Sequence, residues 1–209
     1  MFGAEFEPVD IVVAGVRIRA VRGGGGPPVL LLHGFPQSHV MWHRIAPELA
    51  REHTVVAADL RGYGDSARPD AGADHAGGDP RYFLHRCMGS WGSGVDAHAP
   101  EALREYERVF ADPAARTAMI EDYRAGASID LEHDAASTAA GQRIAAPCLV
   151  LWGERGVVGR HRTGPLDVWR PLATTPELVT GSVITGAGHF LAEENHTDTL
   201  AALQAFLRT

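Results

Sequence analysis

Little in this chain of 209 residues points to a disulfide framework, a polyanion or a membrane. Its two cysteines, Cys87 and Cys148, give neither a disulfide framework nor metal-ligand spacing. Lys and Arg number 19 against 26 Asp and Glu, for a net charge of -7. That balance argues against nucleic-acid binding, which needs clustered cations along a phosphate backbone. No apolar run approaches the roughly 20 residues that cross a bilayer. Met1 is followed by Phe2-Gly3-Ala4-Glu5-Phe6-Glu7, acidic and without an apolar stretch, so a signal peptide is not expected. There is no internal repeat. What remains is ordinary: 45% hydrophobic and 22% charged residues. The length and composition predict one soluble, cytoplasmic, reduced domain with a core of its own, and neither metal nor cofactor.

The order of elements is partly legible. Phe6–Val13 and Val16–Val21 read as strands around Ala14-Gly15; the second alternates Val16, Ile18 and Ala20 with Arg17 and Arg19. Gly23–Gly26 and Pro27-Pro28 read as a breaker, without the spacing of a phosphate loop. Val29–Leu32 is continuously apolar, as expected for a strand covered on both faces. Met41, Trp42, Ile45, Ala46, Leu49 and Ala50 fall at helical spacing, and Thr54–Ala58 reads as the next buried strand. This is the β-loop-α-β unit of a parallel sheet. Residues 67–80 are Gly-, Ala- and Asp-rich and aperiodic, a linker or a join. Residues 81–140 read as helical. Leu103, Tyr106, Val109 and Phe110 mark one amphipathic helix, and Ala118, Met119, Asp122 and Tyr123 another. Residues 147–153 and 178–185 read as strands, and 199–207 as a closing helix.

Three motifs stand in order along this frame. Leu30-Leu31-Leu32-His33-Gly34-Phe35-Pro36 ends a buried strand in a tight loop. Asp59-Leu60-Arg61-Gly62-Tyr63-Gly64-Asp65-Ser66 follows the second buried strand, where the two aspartates read as turn residues rather than nucleophiles. Gly188-His189-Phe190 lies near the C-terminus, after a strand. With 33–50, 121–134 (EDYRAGASIDLEHD), 151–159, 165–170 and 188–195, the chain resembles the haloacetate (fluoroacetate) dehalogenases of the α/β-hydrolase fold. EDYRAG followed by DLEHD is the part most specific to that branch. The first two motifs are shared with epoxide hydrolases and other relatives.

The resemblance implies an α/β-hydrolase fold: a mostly parallel sheet with helices on both faces and a helical cap. It implies a small 2-haloacid substrate such as fluoroacetate. An aspartate would displace halide to form an ester, and a histidine would then activate water to hydrolyse it. By position His189 matches the catalytic histidine. Phe35 matches the oxyanion-hole residue whose backbone N–H faces substrate, and Trp91 and Tyr123 match donors to the departing halide. Trp91 and Tyr123 read equally well as core aromatics of the cap. His33 reads as support for the oxyanion loop.

The nucleophile has no match. Such enzymes place it on a G-x-S-x-G or G-x-D-x-G elbow, and no Ser, Cys or Asp here has glycine both two residues before and two after. The neighbouring arginines and the second acid are also absent, a block of roughly eighty to ninety residues, enough for two strands and their helices. The chain resumes the family pattern after His75–Asp79, which suggests one in-frame deletion. Cys87, Ser90 and Ser93 lie near glycines but follow no buried strand, and Glu154 lies near where some relatives place the acid. The expected organisation is 1–75 as the N-terminal part of the core, 79–140 as the cap remnant, and 141–209 as the C-terminal part with the histidine loop. Three readings stay open: an impaired haloacetate dehalogenase, a non-catalytic binding protein, and a defective deletion product. An epoxide hydrolase or esterase is the alternative enzyme. A homodimer, or pairing with a full-length relative, stays open as the assembly.

Overall fold

The structure is a computed structural model that describes residues 1–68 and 78–208. The join expected between His75 and Asp79 therefore lies largely outside the described residues. The chain divides into two compact units, residues 1–89 with 94–122, and residues 90–93 with 123–209.

The first unit is built on a four-stranded sheet. Strands β1 (Glu7–Val13) and β2 (Val16–Gly24) form an antiparallel hairpin. Its two turn residues, Ala14 and Gly15, both have positive φ, at 49° and 81°. Such a turn matches the twist of the flanking strands. Strand β2 runs past the expected Val21 to Gly24, pairing with β4 (Thr54–Ala58) from Ala20↔Ala58 to Gly24↔Thr54. The glycines permit that extension, since a Cβ at Gly24 would strike the carbonyls of Ala50 and His53. Strand β3 (Pro28–Leu32) pairs parallel with β4, giving the order β1-β2-β4-β3.

Two expectations for this region need correction. The helix expected over 41–50 is broken into a 3-10 turn (His39–Trp42) and a short helix α1 (Ala46–Leu49). Pro47 explains the break: it lacks an N–H for an interior helical bond, so it is accommodated only in a first turn. Strand β3 is not covered on both faces. Leu31 is 6% exposed, but Leu30 is 61% and Leu32 50%. It is an edge strand here, and its alternate side chains face a side left open.

Helices α2 (Pro80–Trp91), α3 (Pro100–Ala111) and α4 (Pro113–Gly126) follow. The stripe of α3 buries Tyr106, Val109 and Phe110, as its spacing predicts, with Ala102 in place of Leu103, which is half-buried. Buried Arg116 of α4 donates to the carbonyls of Phe110 and Ala111, each at 2.9 Å, and so satisfies groups that the end of α3 leaves open.

The second unit begins with residues 90–93 and the last turn of α4, then α5 (Ile129–Ala139), none of whose residues is buried. Strands β5 (Cys148–Gly153) and β6 (Val179–Ile184) pair in parallel, and between them in sequence lies α6 (Pro165–Trp169). Two short helices close the chain, α7 (Leu191–Glu194) and α8 (His196–Leu207). Among the described residues, two of the four strand pairings are parallel and two antiparallel.

Candidate active site

The motif residues of the first unit form a fixed turn. Asp59, 1% exposed, follows β4 directly. Its Oδ1 accepts from the backbone N–H of His39 and lies 2.8 Å from that residue's Nδ1; its Oδ2 accepts from the Asp65 N–H at 3.0 Å. Burial pushes the Asp59 carboxyl up, but these bonds outweigh it and hold its pKa below the ordinary 3.8. Gly64, at φ 50°, completes the turn, because a Cβ there would overlap the Asp59 carboxylate. Ser66 Oγ donates to the Asp59 carbonyl and accepts from the Arg19 N–H, which ties the turn to β2. The carboxylate is thus an acceptor shared among local donors.

His33 is also committed. Its Nε2 accepts from the Leu60 N–H at 3.0 Å, and its Nδ1 lies 3.1 Å from the Gly34 carbonyl, which assigns the proton to Nδ1. Burial lowers its pKa from 6.5, against the opposing bond to Gly34 and charge of Asp59. A neutral imidazole bridging the two motifs holds the loop in which Phe35 stands. Phe35 is half-buried, its ring packed edge-on to Phe110 at 6.2 Å.

The second unit holds the histidine. His189 sits in the loop between β6 and α7 and is exposed. Its ring meets Trp91 at 5.7 Å and Phe190 at 5.0 Å, both edge to face. Desolvation lowers its pKa from 6.5, while the charge of Glu194 opposes the fall. Glu194 clamps the loop: its carboxylate accepts from the N–H groups of Gly188 (2.5 Å) and Phe190 (3.0 Å) and from the hydroxyl of Ser93. Gly153 and Gly188 lie so close that a Cβ on Gly153 would strike the Gly188 carbonyl. A cavity of about 140 Å³ opens beside the loop, lined by Leu151, Trp152, Val158, His189 and Leu191 among others.

Of the residues singled out from sequence, the structure brings together Trp91 and His189. Tyr123, in the last turn of α4, is 55% exposed, and Phe35 belongs to the first unit. Cys87 is buried, and burial raises its thiol pKa, the opposite of an activated thiolate. Ser93 gives its hydroxyl to Glu194. Glu154 accepts from the Gly186 N–H at 2.9 Å through Oε2, so that oxygen serves the loop backbone. Among the described residues no group of three or more His, Cys, Asp or Glu is placed to hold a metal ion. The role of Glu194 was missed in the sequence. The signal was a carboxylate five residues after the histidine, at the end of the next short helix.

The family model for the α/β hydrolase fold matches residues 27–86. A fluoroacetate dehalogenase from Burkholderia sp. is 29% identical over 293 aligned positions, covering 97% of this chain and 94% of that protein. Since this chain has 209 residues, at least 84 of those 293 positions are filled by the relative alone. A soluble epoxide hydrolase from Corynebacterium sp. (strain C12) is 48% identical over 63 residues, 30% of this chain and 22% of that protein. Among solved structures, an α/β hydrolase from Nostoc sp. PCC 7120 is 34% identical with a TM-score of 0.86, covering 97% of this chain and 98% of that one. A structure from Pseudomonas aeruginosa described as an epoxide hydrolase is 30% identical with a TM-score of 0.88, covering 100% and 97%.

Proposed function

The chain belongs to the α/β-hydrolase fold family, and on that footing we propose that it descends from the haloacetate dehalogenases but turns over no haloacid as it stands. The observation behind this reading is an asymmetry. The histidine half of the site is built, with His189 held by Glu194 and faced by Trp91. The nucleophile half has no residue to fill it: no G-x-S-x-G or G-x-D-x-G elbow stands anywhere in the sequence. Displacing fluoride from carbon needs a carboxylate that attacks and becomes an ester. His189 can activate water only against an ester that has formed. The 84 or more unmatched positions against the Burkholderia dehalogenase support an internal loss of the segment bearing that nucleophile. The expected parts, 1–75 and 141–209 from the core and 79–140 from the cap, belong to the same proposal, with a small haloacid as ligand, no cofactor and a cytoplasmic setting. No helix of the described residues is long and apolar enough to cross a membrane.

The deciding experiment incubates the purified chain with fluoroacetate and follows free fluoride with a selective electrode. No release is expected above the buffer rate. Release by the wild type that disappears in His189→Ala would overturn the proposal. A parallel incubation with an epoxide and a p-nitrophenyl ester tests the alternative enzyme, and no diol or phenol is expected.

A second reading has its own support. The cavity beside His189 and the Trp91 ring remain with the nucleophile gone, which suits a protein that holds a small acid without reacting with it. Thermal stabilisation by haloacids without turnover would support that reading. Its failure with every haloacid tried would leave the deletion product, which sequencing of the source DNA across codons 69–80 would test directly.

A further inference from the structure

A larger cavity than the one beside the histidine loop lies within the second unit, and no described residue lines both. It holds about 480 Å³ between the β5–β6 sheet and α8, against about 140 Å³ beside His189. Pockets that enclose small organic molecules run to roughly 300–1,000 Å³.

The register of the strands and the pitch of the helix create this space. Leu149 stands opposite Thr180 in the parallel β5–β6 pairing, so the two share a face of the sheet, and Ser182 shares it two residues further along β6. Ala202, Ala205 and Phe206 fall at i, i+3 and i+4 along α8 and therefore on one face of that helix. All six line the cavity, and the two alanines leave open what longer side chains would fill. The lining divides by chemistry. Its β5 and α8 residues are apolar. Its polar side chains, Glu177, Thr180 and Ser182, all come from one segment, the 3-10 turn Pro176–Leu178 and the strand β6 that follows it. All three are exposed, and among the described residues none of them uses its side chain in a hydrogen bond or ion pair. Glu177 is the one charged side chain among the described residues that line the cavity. An anionic ligand would meet that charge with no cation to offset it, the reverse of what a haloacid needs.

We propose that this cavity is a binding site for a small amphipathic amine, its apolar body against Leu149, Ala202, Ala205 and Phe206 and its ammonium group met by Glu177, Thr180 and Ser182. An ammonium group has only donors, and these three side chains all offer acceptor oxygens. A solvent-exposed ion pair by itself is weak, so most of the affinity comes from the apolar body and the charge selects among molecules that carry the same body. The proposal uses no residue of the histidine site and needs no turnover, so it stands apart from the reading of that site.

Phenethylamine, phenethyl alcohol and phenylpropionate serve as probes, because they share one apolar body and carry a cationic, a neutral and an anionic head at neutral pH. Calorimetric titration of the wild-type chain is expected to rank the amine tightest and the carboxylate weakest. Glu177→Gln, at an exposed position, is expected to weaken the amine about two- to fivefold, the scale of an exposed ion pair, and to leave the alcohol unchanged. Ala205→Trp, also at an exposed position, keeps the carboxylate but fills the cavity, and is expected to lose the amine and the alcohol alike. No binding of the amine by the wild type overturns the site, and so does undiminished binding in Ala205→Trp. Phenylpropionate binding as tightly as phenethylamine, or an amine affinity unchanged in Glu177→Gln, overturns the assignment of an amine.

Discussion

Glu194 holds Gly188: the Oε2 of one accepts from the N–H of the other at 2.5 Å, while Oε1 takes the N–H of Phe190 at 3.0 Å. His189 lies between these two anchored residues, so a carboxylate that does not touch its ring fixes where the ring can stand. Both anchored residues are buried. Removing the carboxylate in Glu194→Ala leaves the two buried backbone donors without acceptor, besides the exposed Ser93 hydroxyl, a loss of about 1–3 kcal/mol in urea unfolding. The milder Glu194→Gln keeps an acceptor but removes the charge that opposes the fall in the His189 pKa. Its pKa is expected to drop further below 6.5, read from the ring proton resonance against pH. An unchanged titration in Glu194→Gln would show that the carboxylate has no electrical hold on the ring.

The buried His33 makes stability depend on pH in a defined direction. Its folded pKa lies below 6.5, so the unfolded chain binds the proton more readily. Its contribution is intact at neutral pH and is lost as pH falls below 6.5 towards the folded value. Protonation also removes the lone pair that accepts from the Leu60 N–H. Asp59, depressed below 3.8, acts later in the same direction, losing its contribution only below that pH. Urea midpoints at pH 7.5 and 5.5 should therefore fall in the wild type, and fall less in His33→Gln. Equal drops in both proteins would assign the effect elsewhere.

Asp59 and Gly64 form one unit and should fail together. Asp59→Ala strands the N–H groups of His39 and Asp65 in a buried turn, at about 3–5 kcal/mol by analogy with broken buried charge pairs. Gly64→Ala adds a methyl at φ 50° that overlaps the same carboxylate, about 1–3 kcal/mol. In the double variant the overlap is gone, so the combined loss should be smaller than the two single losses added. Strict additivity in chemical unfolding would mean that the two residues do not share this space.

How far these features could be read from sequence depends on where the information resides. Strand β4 stands at Thr54–Ala58 as expected, because an unbroken apolar run between polar neighbours has one economical conformation. The α3 stripe was legible for the same local reason. The helix over 41–50 was misread because the apolar spacing outweighed Pro47, whose missing N–H splits the segment. The burial of β3 was misread because Leu30 and Leu32 announce an apolar strand but cannot announce what lies against it. His33 and His189 were visible as motif residues. Glu194 was not, since its partners are backbone N–H groups that any sequence supplies.

The open side of β3 leads to the last prediction. The two edges of the first sheet differ in protection. Outer strand β1 carries Glu7, Pro8 and Asp10, with Asp10 paired to Arg17 and Arg19. Strand β3, Pro-Val-Leu-Leu-Leu, carries no charge, and it exposes Leu30 and Leu32 on one side. Each edge strand has one proline near its start, so the charges make the difference: charges on an edge hinder strand addition, and an apolar edge invites it. Leu30→Lys with Leu32→Lys places two charges on that side without touching buried Leu31. Aggregation on heating, followed by light scattering, should begin at higher temperature, while the stability of the soluble fraction changes by no more than about 0.5 kcal/mol. A loss well beyond that would mean that both leucines are buried in solution by an association the double variant disrupts. An unchanged onset would move the source of aggregation away from β3.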